Sequence, residues 1–169
     1  MGETIIRTVT VADIPAIAAL ARTIWLDHYP GIITMEQIEY MLAQRYGPAQ
    51  IRAEIEGGAI GWEQIALDGA PAAFASYFPA EAPGEMKLDK LYVHPRHQRA
   101  GFGGKLIGHV ALAASKRGFR CLILAVNKNN TKAIGAYRKH GFTVRESVSK
   151  DIGNGFVMDD YIMVKELAA

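Results

Sequence analysis

Val93-His94-Pro95-Arg96-His97-Gln98-Arg99-Ala100-Gly101-Phe102-Gly103-Gly104-Lys105 decides how this chain is read. The residues before it, Met86 to Val93, have the composition of a strand, and those after it, Lys105 to Lys116, have the spacing of a helix. Between them lies a loop with three glycines, two arginines and no acid. Glycine lets the backbone turn sharply and lets another group approach it closely. A helix N-terminus adds unpaired N–H groups and the positive end of the helix dipole, a setting that favours an anion. The stretch is therefore read as a phosphate-binding loop.

The charge distribution agrees. The formal net charge is only +2, yet Met86 to His140 holds twelve Lys/Arg and one acid, Asp89, for a local net of +11. The rest holds seven Lys/Arg and sixteen acids, a net of −9. So basic a segment around a glycine loop points to a ligand with several phosphates, and an acidic remainder suits a cationic second substrate. A nucleic-acid partner is not expected, because the basic segment is interrupted by the glycine loop and carries no RNA-binding aromatic motif.

With 169 residues, half of them apolar, the chain can bury a core without metals or disulfides, and one domain over 1–169 is expected. No apolar run approaches the ~20 residues of a membrane span. Glu3 and the lack of an apolar stretch near the start argue against export, so the cytoplasm is the expected location. The single cysteine, Cys121, sits in the apolar run Cys121-Leu122-Ile123-Leu124 and reads as a buried structural thiol. The five histidines show no ligand spacing, and no metal is expected.

Along the chain, Thr4 to Val9 reads as a strand and Asp13 to Leu26 as a helix with Asp13 or Thr10 as N-cap. Thr34-Met35-Glu36-Gln37 fits a capping box opening a second helix, and Pro48 to Glu56 fits a further short one. Trp62–Leu67 and Pro71–Pro79 flank the hairpin signal Asp68-Gly69, and Met86–Val93 follows. After the loop and its helix, Arg120–Val126 is apolar enough for a buried parallel strand. Asn130 then caps a helix that Gly141 ends, and Phe142–Val148 and Phe156–Val164 are strands around Gly153-Asn154-Gly155. The order, β-α-α-β-β-β-α-β-α-β-β, is that of a mixed α/β fold in which antiparallel strands lead into parallel crossovers.

Two phosphate-binding fingerprints fail on spacing. There is no G-x-x-x-x-G-K-[ST], and Gly101-Phe102-Gly103-Gly104-Lys105-Leu106 lacks the third glycine of a dinucleotide motif and lies seven residues beyond its strand. The next strand ends Val126-Asn127, without the acid expected for a ribose. What remains is Gln98-Arg99-Ala100-Gly101-Phe102-Gly103 after Leu91-Tyr92-Val93-His94-Pro95. It is followed by Asn130, Ala133, Tyr137 and Gly141-Phe142, in an N-x-x-A-x-x-x-Y-x-x-x-G-F pattern.

These paired motifs, between Asp89 and Phe142, resemble the GNAT superfamily of acetyl-CoA-dependent N-acetyltransferases. The resemblance implies a central mixed, mostly antiparallel, twisted sheet of about seven strands flanked by helices. It implies acetyl-CoA as co-substrate, held by Gln98, Arg99, Ala100, Gly101, Phe102, Gly103, Gly104 and Lys105 at its phosphates. Leu91 and Val93 would hold its arm through backbone groups, and Asn130 would hydrogen-bond it. Tyr137 would protonate the leaving thiolate, and Asp89, on the strand before the loop, is the candidate general base. Trp25 and Tyr29 are candidate acceptor-pocket walls, and Asp159 and Asp160 candidate acceptor-binding acids. The run Trp25-x-x-His28-Tyr29 followed by Glu36 to Leu42 is similar to bacterial diamine and polyamine acetyltransferases. The expected acceptor is thus a small primary amine, and a homodimer is among the expected assemblies. The alternatives are a non-catalytic acyl-CoA sensor and an acetyltransferase of protein N-termini or lysines.

Overall fold

The computed structural model describes residues 3–168. Seven strands, β1 (Thr4–Thr8), β2 (Gly61–Leu67), β3 (Ala70–Pro79), β4 (Glu85–Val93), β5 (Cys121–Asn127), β6 (Thr143–Gly153) and β7 (Phe156–Glu166), follow one another in the order β1-β2-β3-β4-β5-β7-β6, and the chain divides into two compact units. One comprises the residues up to Phe78 together with Lys90–Leu106, the other Pro79–Asp89 together with the residues from Ile107 onward. The sequence-derived fold class holds, and the further short helix expected over Pro48–Glu56 is present as the third helix of the first helical region.

In the first unit, β2 (Gly61–Leu67) and β3 (Ala70–Pro79) are joined by Asp68 and Gly69, both at positive φ (51° and 85°), as a type I′ hairpin turn requires. Asp68 also receives the Glu3 N–H on its carboxylate at 3.0 Å and returns its own N–H to the Glu3 carbonyl. That pins the start of β1 (Thr4–Thr8), which runs antiparallel to β2 from Thr4 opposite Leu67 to Thr8 opposite Glu63. The Asp13 carboxylate accepts the Thr10 N–H at 2.8 Å and closes a short turn before α1 (Ile14–His28). Helix α1 buries Ile14, Ile17, Leu20, Ala21, Ile24 and Trp25 on one stripe. In α2 (Met35–Tyr46) the Thr34 hydroxyl accepts from Gln37 N–H, and α3 (Pro48–Gly57) stops at Gly58 with φ 76°.

Strand β4 (Glu85–Val93) shows the two-residue period of a pleated strand: Met86, Leu88 and Lys90 are buried and their neighbours are not. A lysine at a core position needs compensation. The Lys90 ammonium lies 5.2 Å from the Trp62 ring centroid and 5.5 Å from that of Tyr46. It is 3.9 Å from Glu54 Oε1, which also accepts the Trp62 indole N–H at 3.0 Å.

In the second unit, Glu85–Lys87 of β4 pairs in parallel with the start of β5 (Cys121–Asn127). All of β5 pairs antiparallel with β7 (Phe156–Glu166), and β7 with β6 (Thr143–Gly153). Arg145 closes on Glu85 at 2.7 Å, and this hydrogen bond holds the Glu85 carboxyl below its ordinary range. Cys121 is buried, and burial pushes its thiol above its ordinary value, as suits a structural cysteine.

Most element boundaries differ from the sequence reading by one or two residues, and three differences bear on side-chain roles. Helix α4 (Phe102–Lys116) begins at Phe102, not Lys105, so Gly103 and Gly104 lie in its first turn. Strand β6 continues past Val148 to Gly153, because its pairing with β7 does not depend on an alternating apolar pattern. Strand β5 starts at Cys121, with the Arg120 side chain used instead to hydrogen-bond the Pro83 carbonyl.

Candidate active site

The glycine loop is built from the end of β4 outward. The His94 N–H bonds to the Ala72 carbonyl of β3 at 2.8 Å, fixing where the strand releases the chain. A 3₁₀ turn follows at Pro95–His97, with His94 Nδ1 accepting the Arg96 N–H at 3.1 Å. Nδ1 is then the acceptor, so a neutral His94 carries its proton on Nε2. Burial, followed by the charges of His97 and Arg96, holds the His94 pKa below its usual value.

The Ala100 N–H is taken by the His97 carbonyl, and the Lys105 N–H by that of Gly101. Between them, the N–H groups of Gly101, Phe102, Gly103 and Gly104 make no hydrogen bond among the described residues. Four successive free donors at a helix start form an anion cradle. Gly101 adopts φ +82°, a left-handed conformation that side chains rarely accept, and a Cβ there would meet no atom within 4 Å. A Cβ on Gly103 would meet only Val93 Cγ2, at 3.9 Å. The protein's own packing therefore does not need glycine at 103, which leaves the space for a ligand. Arg96, Arg99 and Lys105 are exposed around this cradle. Phe102 is different: its ring is buried, 5.9 Å from His97, so its side chain anchors the loop and only its N–H faces the cradle's task.

Leu91 and Val93 are half-buried on the last turn of the β4 pleat, and Tyr92 points the opposite way. Tyr92 packs among Trp25, Tyr29 and Phe74, with ring centroids 5.8, 6.4 and 5.8 Å away, and its hydroxyl is 2.9 Å from that of Tyr29. Trp25 is 2% exposed, so the sequence's candidate pocket wall lies within the core, and Tyr29 (8%) sits at its edge.

In the second unit, Asn130 is buried and its Oδ1 caps α5 (Thr131–Lys139) by accepting the Ala133 N–H. Tyr137, on α5, packs edge-to-face on Phe142 at 5.6 Å. The residue is half-buried, its hydroxyl makes no hydrogen bond among the described residues, and desolvation by the surrounding protein pushes its pKa up to about 12. The helix closes with Gly141 at φ +92° and the Phe142 N–H returning to the Tyr137 carbonyl, which fixes the aromatic pair. Asp89 is half-buried with Lys87 Nζ at 3.9 Å. The structure separates the two adjacent acids of β7. Asp159 is exposed and paired with Lys128 at 2.8 Å, whereas Asp160 is buried, in register with Asn127.

Sequence reasoning missed the Lys90–Glu54–Trp62 cluster. The signal was present: Lys90 shares parity with Met86 and Leu88 and so had to point inward. Among the described residues there is no cluster of three potential metal ligands, and no helix is long and apolar enough to cross a membrane.

Comparison with known proteins sharpens the picture. The spermidine N(1)-acetyltransferase of Thermoplasma acidophilum is 23% identical over 156 residues, covering 91% of this chain and 94% of its own length. The crystal structure of the PaiA N-acetyltransferase from the same organism, in complex with coenzyme A, superposes with a TM-score of 0.84. It is 23% identical, with 97% of this chain and 99% of that one covered. The Escherichia coli ribosomal-protein-S18-alanine N-acetyltransferase gives a TM-score of 0.70 at 23% identity, covering 99% and 96% of the two chains. The pattern of the acetyltransferase (GNAT) family matches residues 19–142, a span that runs from α1 through the glycine cradle to the Tyr137–Phe142 pair. The chain belongs to the acetyltransferase (GNAT) family of acyltransferases.

Proposed function

We propose that this protein, as one catalytic domain over residues 1–169, transfers the acetyl group of acetyl-CoA to a primary amine of a small cationic acceptor such as a polyamine. The observation that carries the cofactor is the run of four unpaired N–H groups from Gly101 to Gly104, with open space at two of the glycines. Acetyl-CoA supplies the activated thioester. The loop N–H groups hold its pyrophosphate, with Arg96, Arg99 and Lys105 adding charge and Gln98 and Ala100 completing the loop. Backbone groups of Leu91 and Val93 take the pantetheine arm, one N–H polarising the thioester carbonyl; such a donor is worth roughly 3 kcal/mol. Asn130, besides capping the helix, hydrogen-bonds the same arm.

Asp89 accepts the proton that the acceptor ammonium must lose, and Tyr137 donates one to the departing sulfur. Cys121 is buried and its thiol faces Glu85 rather than a histidine, so it is a poor nucleophile and the amine attacks the thioester directly. Support for a polyamine comes from the acidic remainder of the chain and the spermidine-acetylating relative. Asp160 and Asp159 orient the cationic acceptor, and Tyr29 lines its approach from the edge of the aromatic cluster. Thiol release from acetyl-CoA with a panel of polyamines, amino acids and peptides tests the reading. Turnover with spermidine or a diamine is expected, and binding of acetyl-CoA without turnover on any amine would favour the sensor instead.

Gly103→Val tests the cradle. Its Cβ meets only Val93, so thermal stability is expected to shift by no more than about 1 kcal/mol. Acetyl-CoA affinity is expected to fall by at least about tenfold, because branched carbons then occupy the ligand's path. Calorimetric titration beside a melting curve reads both, and unchanged affinity would refute the cradle.

A further inference from the structure

Pro95 opens the turn after β4 and has no N–H, so the first donor that needs a partner there is that of Arg96. It goes to His94 Nδ1 at 3.1 Å, and the next, the His97 N–H, goes to the His94 carbonyl at 2.8 Å. His94 gives its own N–H to Ala72 of β3. One residue thus joins the sheet to the turn through three hydrogen bonds. From the turn, two routes lead to the cradle. The His97 carbonyl takes the Ala100 N–H, the last before the open donors of Gly101 to Gly104. The His97 ring, 5.5 Å from that of His94, lies 5.9 Å from the buried Phe102 ring at the start of α4.

Of the three bonds, only the one to Nδ1 can be switched. A neutral imidazole offers an acceptor nitrogen, whereas an imidazolium has two donors and no acceptor. Protonated His94 therefore sets an N–H against the Arg96 N–H, and the turn loses its cap. We infer that His94 is a positioning residue for acetyl-CoA, holding the cradle in place while its ring is neutral and releasing it when the ring takes a proton. That role rests on the cradle being the acetyl-CoA site.

The surroundings favour the neutral ring. Desolvation is the largest influence against a positive charge on His94, followed by His97 and Arg96 on the loop, while Asp27 on α1 pulls the other way. The folded pKa lies below the unfolded one, so the cap's contribution is complete above the ordinary histidine value and is lost as pH falls through the folded one. A proton on His94 also brings positive charge toward the phosphates, which taken alone would tighten binding as pH falls. That attraction is small, because Arg96, Arg99 and Lys105 already surround the cradle and salt screens one charge more. Displacing the donors costs more, since an anion cradle works only while its N–H groups converge. The two effects differ in sign, so a titration separates them.

That titration is calorimetric, with acetyl-CoA and the full chain, at about 0.15 M salt and from about pH 8 to about pH 5, on the wild type, His94→Ala and His94→Asn. Asparagine can accept an N–H two residues on, as in an Asx turn, but does not titrate. At about pH 8, His94→Ala is expected to bind at least about threefold more weakly than the wild type, and His94→Asn to recover most of that loss. The 3′-phosphate of acetyl-CoA gains a proton near pH ~6 in every sample, so His94→Asn is the reference on acidification. Between the two ends of the range the wild type is expected to lose at least about threefold more affinity than His94→Asn. Nitrogen NMR of the His94 ring is expected to place its proton on Nε2 at about pH 8. Circular dichroism at each pH checks the fold, and the wild type, its NMR and His94→Asn decide the matter even where His94→Ala does not fold. Parallel pH profiles for the wild type and His94→Asn overturn the inference, and so does wild-type binding that tightens on acidification, or a ring proton on Nδ1. Each of these leaves the cradle as the acetyl-CoA site. A wild type that binds no acetyl-CoA at about pH 8 removes that site, and the role of His94 with it.

Discussion

Replacing Tyr137 with phenylalanine is expected to lower kcat by about 10- to 100-fold while leaving acetyl-CoA affinity nearly unchanged. The ring's contact with Phe142 survives the change, and the lost hydroxyl has no hydrogen bond to another described residue, so the fold gives up nothing. The effect stays modest because a thiolate with a pKa near ~8.5 leaves readily. The pH dependence is distinctive. Desolvation raises the phenol from 10.0 to about 12, so in the free enzyme Tyr137 stays protonated throughout the working range and cannot produce an alkaline limb below that value. For stability the sign follows from linkage. A raised phenol pKa contributes stability that is complete below pH 10 and is lost as pH rises from 10 toward about 12, because the unfolded chain releases its proton first. The phenylalanine variant should lack that alkaline loss. Equal kcat in the two proteins would remove Tyr137 from the chemistry and leave it as packing.

Trp25→Ala is expected to cost about 3–5 kcal/mol of stability, the range for emptying a buried aromatic site. Trp25 is 2% exposed and touches Tyr29, Tyr46 and Tyr92 at centroid distances of 4.3, 5.7 and 5.8 Å, so the hole opens at the centre of an aromatic cluster. Urea unfolding measures the loss directly. A pocket wall behaves otherwise: its removal raises the acceptor KM and changes stability by less than about 1 kcal/mol. The latter outcome would return Trp25 to the acceptor site.

That contrast shows where the sequence was legible. Local chemistry was read well. Asp68-Gly69 demanded a hairpin, Asn130 a cap and Gly141 a helix stop, each through a requirement met within a few residues. The cradle was visible for the same reason, since the glycine spacing and the basic charge are both local. What a side chain buries against is decided by distant segments. The helical spacing of Trp25 was clear, but only the packing of Tyr46 and Tyr92 shows that the ring is enclosed. Likewise Asp159 and Asp160 are adjacent in sequence, and strand parity sends one to Lys128 at the surface and the other inward. Lys90 was hidden by the ordinary expectation that lysine is solvated, against which Glu54 and two aromatic rings prevail.

The central claim is that the loop from Gln98 to Lys105 receives acetyl-CoA. Isothermal titration of the intact protein with acetyl-CoA tests it most directly. One site per chain is expected, with affinity that weakens as salt is raised because phosphate contacts are part of the binding. Absence of any binding heat or competition across concentrations up to the millimolar range would contradict it.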